Sequence, residues 1–101
     1  MLCFEKKKNE LVVRLSGELD HNAASRIRRE LDDAILRTGP RRLVLELNGL
    51  DFMDSSGIGL IIGRYKLMKR LGGSVAVSSP DARVDRIFKM AGLYQLVERL
   101  A

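Results

Sequence analysis

The residues best equipped for chemistry stand together as Asp54-Ser55-Ser56-Gly57, one carboxylate beside two hydroxyls. They follow a short apolar run, Leu43-Val44-Leu45-Glu46-Leu47, and precede Ile58, Ile61, Ile62, Tyr65 and Met68 at helical spacing. The quartet thus falls where a strand has ended and a helix begins, with Asn48-Gly49 expected to break the strand. At such a junction several backbone N–H groups lack intrahelical partners, so Asp or Ser caps the helix. The same position tolerates an anion, which makes either serine a candidate phosphoryl acceptor. Spacing alone does not choose between capping and modification.

Other chemistries fail for want of parts. A serine nucleophile needs a base and a group that orients it, and His21 is the one histidine. Neither serine lies in a G-x-S-x-G elbow, so the sequence argues against an enzyme with catalytic residues of its own. With one histidine and one cysteine, Cys3, no Cys/His metal site assembles and no intrachain disulfide forms. Gly57, Gly59 and Gly63 give G-x-G-x-x-x-G, one residue too long for a dinucleotide fingerprint. Gly59 and Gly63 are read instead as small residues that let the helix approach the sheet or a neighbouring helix.

The elements that must position the quartet follow from periodicity. Leu2–Lys7 and Leu11–Leu15 read as an antiparallel hairpin across Lys8-Asn9-Glu10, with Gly17 ending the second strand. Ala24, Ile27, Leu31, Ala34 and Ile35 line one helix face, capped by Asp20 or Asn22 and stopped at Gly39-Pro40. After the central strand and helix, Gly72-Gly73 leads into the strand Ser74–Ser78. Ser79-Pro80-Asp81 has the form of a helix start, with Ser79 as cap and Pro80 first in the helix. Val84, Ile87, Phe88 and Ala91 form that helix's inner face, and Gly92 ends it. Leu93–Leu100 fits a short edge strand or a last helical turn, and the edge strand is preferred. The order β-β-α-β-α-β-α with a terminal strand predicts one α/β domain over residues 1–101, a mixed sheet of four to five strands packed by helices.

Composition bounds the class. The 101 residues are 46% apolar and 31% charged, a globular balance. No hydrophobic leader or membrane-length run is present, and a lone cysteine suits a reducing compartment, so a cytoplasmic protein is expected. Eighteen basic against 13 acidic residues give a net charge of +5. The positive residues are scattered and interleaved with acids, and no aromatic or helix-turn-helix motif joins them, which argues against nucleic-acid binding.

Three segments are specific in combination: Gly17-Glu18-Leu19-Asp20-His21, Phe52-Met53-Asp54-Ser55-Ser56-Gly57-Ile58-Gly59 and Gly63-Arg64-Tyr65-Lys66. With Arg86-Ile87-Phe88-Lys89-Met90-Ala91-Gly92-Leu93, they resemble the bacterial anti-sigma-factor antagonists of the STAS family, the sporulation type above all. The resemblance spans essentially the whole chain and implies a partner-switching regulator. In its unphosphorylated form it would bind an anti-sigma factor that is also a serine kinase, releasing a sigma factor. That kinase would spend ATP to phosphorylate Ser55, the first serine of the motif, and a metal-dependent serine phosphatase would reset it. The antagonist itself would need no cofactor and contact no membrane. Asp20, His21, Asp54, Ser55, Ser56 and Gly57 are the expected contact surface, with Asp54 orienting the acceptor hydroxyl. A STAS module of another signalling route, or a sensor of a nucleotide or other small ligand, is the alternative.

Overall fold

The computed structural model describes residues 2–78 and 80–100. In chain order the elements are β1 (Leu2–Lys7), β2 (Glu10–Leu19), α1 (His21–Thr38), β3 (Arg42–Met53), α2 (Ser55–Arg70), β4 (Ser74–Ser78), α3 (Ala82–Met90) and β5 (Glu98–Leu100). A single 3-10 turn, Leu93–Gln95, separates α3 from β5. So the terminal segment holds both a short helical turn and the edge strand. The five strands lie in the sheet in sequence order, with β1 antiparallel to β2 and every later neighbour parallel. This is the mixed α/β sheet expected of the alternating elements.

Strand pairing sorts the side chains into two faces. Leu11 pairs with Leu43 and Leu43 with Val75, and Val13, Leu45 and Val77 form the next row. These rows share one core cluster with Ile27, Leu31 and Ile35 of α1, Ile61 and Met68 of α2, and Phe88 of α3. All three helices therefore bury their apolar stripes on the same side of the sheet, each large side chain contributing about 1.5–3 kcal/mol of transfer free energy. On the opposite face Val12, Val44 and Ala76 form a small separate cluster. Ion pairs frame it, Arg14 with Glu46 at 2.6 Å and Arg42 with Glu98 at 3.4 Å.

Both central strands outrun their expected ends. Gly17 does not stop β2, nor does Asn48-Gly49 stop β3. The ladder instead changes register twice, Arg14 pairing with Glu46 but Ser16 with Gly49, and Gly17 with Leu50 but Glu18 with Phe52. At each shift β3 carries one extra residue, the mark of a bulge. This is why its buried residues there, Leu47, Leu50 and Met53, are spaced by three, so alternation fails as a guide. Gly49 fits because a Cβ there would lie 3.0 Å from Ser16 Cβ and 3.2 Å from the Leu15 carbonyl oxygen.

The helices settle one open alternative and correct three further expectations. In α1 the cap is Asp20, not Asn22, and Gly39 closes the helix at φ 59° while donating to the Ile35 carbonyl. The buried face of α2 is Gly57, Leu60, Ile61, Arg64 and Met68, while Ile58, Ile62 and Tyr65 are half-buried. Apolar residues surround much of this helix, and it meets both the sheet and α1, so its pattern names no unique face. In α3 the cap is Asp81, accepting from Val84 N–H, with Pro80 ahead of the helix; the expected cap Ser79 lies outside the described residues. Val84 and Phe88 are buried as expected, but Ala91 is the C-cap and exposed, because the helical face ends one residue before it.

Candidate functional site

The two long central strands end side by side. Leu19 pairs with Met53, and the next residue of each strand, Asp20 and Asp54, is the N-cap of the helix that follows. Asp20 Oδ1 accepts from Ala23 N–H at 2.9 Å, and Asp54 Oδ1 accepts from Ser56 N–H at 2.8 Å. Two helix N-termini, with their unpaired donors and partial positive charge, are thereby brought to one pole of the molecule. Asp54 N–H also reaches back toward the Leu19 carbonyl at 3.5 Å.

Gly57 makes this arrangement fit. It is buried, and a Cβ there would lie 2.5 Å from Met53 Cγ and 3.1 Å from Leu19 Cγ. The first turn of α2 therefore rests directly on the last pair of the β2–β3 ladder. Gly59 and Gly63, expected to permit close packing, have nothing within 4 Å of such a Cβ. The close approach belongs to the glycine of the Asp-Ser-Ser-Gly quartet and not to the two that follow it.

On this base the candidate side chains divide. Ser55, the first residue of α2, is exposed, while Ser56 is half-buried. Ser56 Oγ lies 3.4 Å from His21 Nδ1, so the histidine reaches across from α1 to the second serine. The carboxylate of Asp54 holds the Ser56 amide, which makes it a helix cap in the first place. Asp20 and His21 flank the pair from the neighbouring turn, and the six expected residues do come together at one pole.

Sequence reasoning passed over three neighbours. Phe52 is 47% exposed, an aromatic set beside the pole where the bulged ladder turns it outward. Arg83 reaches the Asp51 carbonyl at 3.3 Å, linking α3 to the strand that bears Asp54. Arg64 is buried between α1 and α2 with its Nε 2.9 Å from Asp32 Oδ1. Burial pushes its guanidinium below the ordinary value, against the pull of Asp32 and helped by the like charge of Arg28. The signal for Arg64 was faint: an arginine between Ile61 and Met68 on the apolar stripe of a helix.

Among the described residues no three His, Cys, Asp or Glu side chains are grouped to hold a metal. No helix there is long and apolar enough to cross a membrane.

Comparison with known proteins agrees with this geometry. Residues 3–101 match the model of the STAS domain. The anti-sigma F factor antagonist of Paenibacillus polymyxa is 45% identical over 94 residues, covering 93% of this chain and 80% of that protein. The solved structure of the anti-sigma factor antagonist SpoIIAA in its unphosphorylated form superposes with a TM-score of 0.86 at 30% identity, over 100% of this chain and 89% of that one. SpoIIAA in its phosphorylated form, described as a Bacillus cell fate determinant, gives 0.78 at 29% identity, over 100% and 92%.

Proposed function

The chain belongs to the STAS domain family, with anti-sigma factor antagonists among its relatives, and from that premise we propose that it is itself such an antagonist, working by partner switching. Its unphosphorylated form binds an anti-sigma factor that is also a serine kinase and so releases a sigma factor. That kinase transfers the γ-phosphoryl of ATP to Ser55, which ends the binding, and a metal-dependent serine phosphatase removes the group. The chain is a substrate in this cycle, with no cofactor and no catalytic residue of its own. Asp20, His21, Asp54, Ser55 and Ser56 form the contact surface, and Gly57 seats α2 beneath it.

One observation carries the reading: of the two hydroxyls, Ser55 is exposed at the helix start, while Ser56 is half-buried against His21. A phosphoryl group on Ser55 brings about −1.5 to −2 charges to the surface that the partner covers. At a helix N-terminus the isolated domain tolerates that charge, by about 0.3–1 kcal/mol in its favour. In a docked interface the same charge is desolvated beside the Asp54 carboxylate, which costs several kcal/mol. Since a tenfold loss of affinity needs only about 1.4 kcal/mol, binding switches without refolding the domain.

The test is affinity capture from the source cell's lysate with ADP present, comparing wild type with Ser55→Asp. Wild type retains one ATPase of the histidine-kinase-like type, and the variant loses it while keeping cooperative unfolding. Equal capture by both proteins overturns the reading and leaves Ser55 as the first residue of a helix and no more.

A further inference from the structure

Beside Ser56, a groove of about 320 Å³ runs between α1 and α2, walled by Ser25, Arg28, Ser56 and Arg64 among others. A second hollow of about 430 Å³ continues along α1, sharing Ser25 and Arg28 with it and adding Arg29 and Asp32. The groove's most unusual component is Arg64, only 6% exposed. Its Nε is close to Asp32 Oδ1 but not aligned for a hydrogen bond, and its buried Nη1 has no hydrogen-bond partner among the described residues. Arg28 Nε stands 3.9 Å from the other oxygen of the same carboxylate. Two guanidinium groups thus share one Asp32, and the wall of the groove keeps one uncompensated positive charge.

Unsatisfied buried donors and a half-compensated cation pair cost stability unless something completes them. We propose that this groove is an anion subsite that receives a carboxylate side chain of the bound anti-sigma factor, seated between Arg28 and Arg64. The inference rests on the partner-switching reading and names where that partner is anchored. A carboxylate answers the excess of Arg28 and Arg64 over their shared Asp32, with Arg29 standing in the adjoining hollow. Its planar pair of oxygens also matches the fork of a guanidinium. The position of the groove adds a consequence for the switch. Ser56 lines it and Ser55 is the adjacent residue, so a phosphoryl group on Ser55 sets a stronger anion at the mouth of the subsite that the partner's carboxylate must enter.

The test takes the purified partner that wild type binds and measures affinity by calorimetry for Arg28→Glu and Arg41→Glu. Arg28 is well exposed, so its replacement leaves the fold intact, as matching thermal midpoints establish. Arg41→Glu makes the same change in net charge at an exposed residue just before β3, at the opposite end of the strands. Arg28→Glu weakens binding at least tenfold, about 1.4 kcal/mol, and Arg41→Glu does not. A lysine replacing the anchoring acid of the partner restores binding to Arg28→Glu. No loss in Arg28→Glu, or equal loss in both variants, overturns the subsite and leaves only long-range steering by net charge. A second arm follows the Arg64 Nε–H resonance of wild type alone in sodium acetate and in inorganic phosphate. A shift with acetate is expected, whereas a shift with phosphate only overturns the carboxylate occupant. Failure here is separable from failure of the switch: if Ser55→Asp still loses the partner while Arg28→Glu keeps it, the subsite alone is wrong.

Discussion

His21 Nδ1 lies 3.4 Å from Ser56 Oγ, joining the first turn of α1 to the first turn of α2. The contact gives the two adjacent serines different surroundings, one held against an imidazole and one facing solvent. An acceptor must be reached by a kinase's active site, so this asymmetry bears on which hydroxyl is modified.

The first prediction follows from it. Incubated with its partner kinase and ATP, Ser56→Ala takes up one phosphoryl group and Ser55→Ala takes up none. Intact-mass spectrometry with peptide mapping reads both results, and a phosphate on Ser56 in wild type contradicts the assignment.

The glycines of α2 respond oppositely to alanine. Gly57→Ala forces a methyl group to 2.5 Å from Met53 Cγ, and overpacking of this kind costs about 1–3 kcal/mol. Gly59→Ala and Gly63→Ala meet nothing within 4 Å, and each gains up to about 1 kcal/mol of helix propensity. Urea denaturation midpoints should move down for the first and up for the other two.

Removing either aspartate cap loosens the pole. Asp20→Ala and Asp54→Ala each lose an acceptor for an orphan amide, at about 0.5–2 kcal/mol. Circular dichroism melts should show the two losses, and amide exchange should locate them in the first turns of α1 and α2.

The pH dependence centres on the contact between α3 and the 3-10 turn. Tyr94 Oη donates to Asp85 Oδ1 at 2.5 Å, and Lys89 and Arg99 approach the same carboxylate. The Tyr94 hydrogen bond first, then that from Lys89, holds Asp85 below the usual carboxylate range. Its stabilising contribution is therefore present above the unfolded value near about 3.9 and is lost as the pH falls through the folded value. Tyr94 moves the other way, raised by burial and then by its bond to Asp85. Its contribution is full below the unfolded value near about 10 and is lost as the pH climbs through the folded one. Tyr94→Phe keeps the edge-to-face packing on Phe88 but removes the hydroxyl. Its urea midpoint should therefore fall less steeply than that of wild type at both acid and alkaline extremes.

Much of this architecture is legible in the residues themselves. Helical and alternating periods give the element order, and Asp20 and the Gly39-Pro40 stop bound α1. The site is legible in part, because Asp20 and Asp54 each stand as a capping residue just ahead of a helical pattern. What escaped reading is set by contacts distant in sequence. A bulge depends on the neighbouring strand, so Gly17 and Asn48-Gly49 look like ends when they are irregularities within a ladder. Whether a glycine is crowded depends on what lies opposite, which separates Gly57 from Gly59 and Gly63. The Arg64–Asp32 pair forms only once two helices lie together, and neither residue declares it alone.

The strands differ greatly in length, and this shapes how the molecule opens. β3 has 12 residues, β4 five and β5 three. The pairing with β4 reaches only from Arg42 to Glu46, so the stretch of β3 that leads to Asp54 has its ladder with β2. Local unfolding proceeds in cooperative units of unequal stability, and short edges open first. The carboxyl-terminal edge can breathe while the two strands that carry the helix starts stay zipped. Opening at that margin of the sheet leaves in place the ladder on which the two helix starts rest.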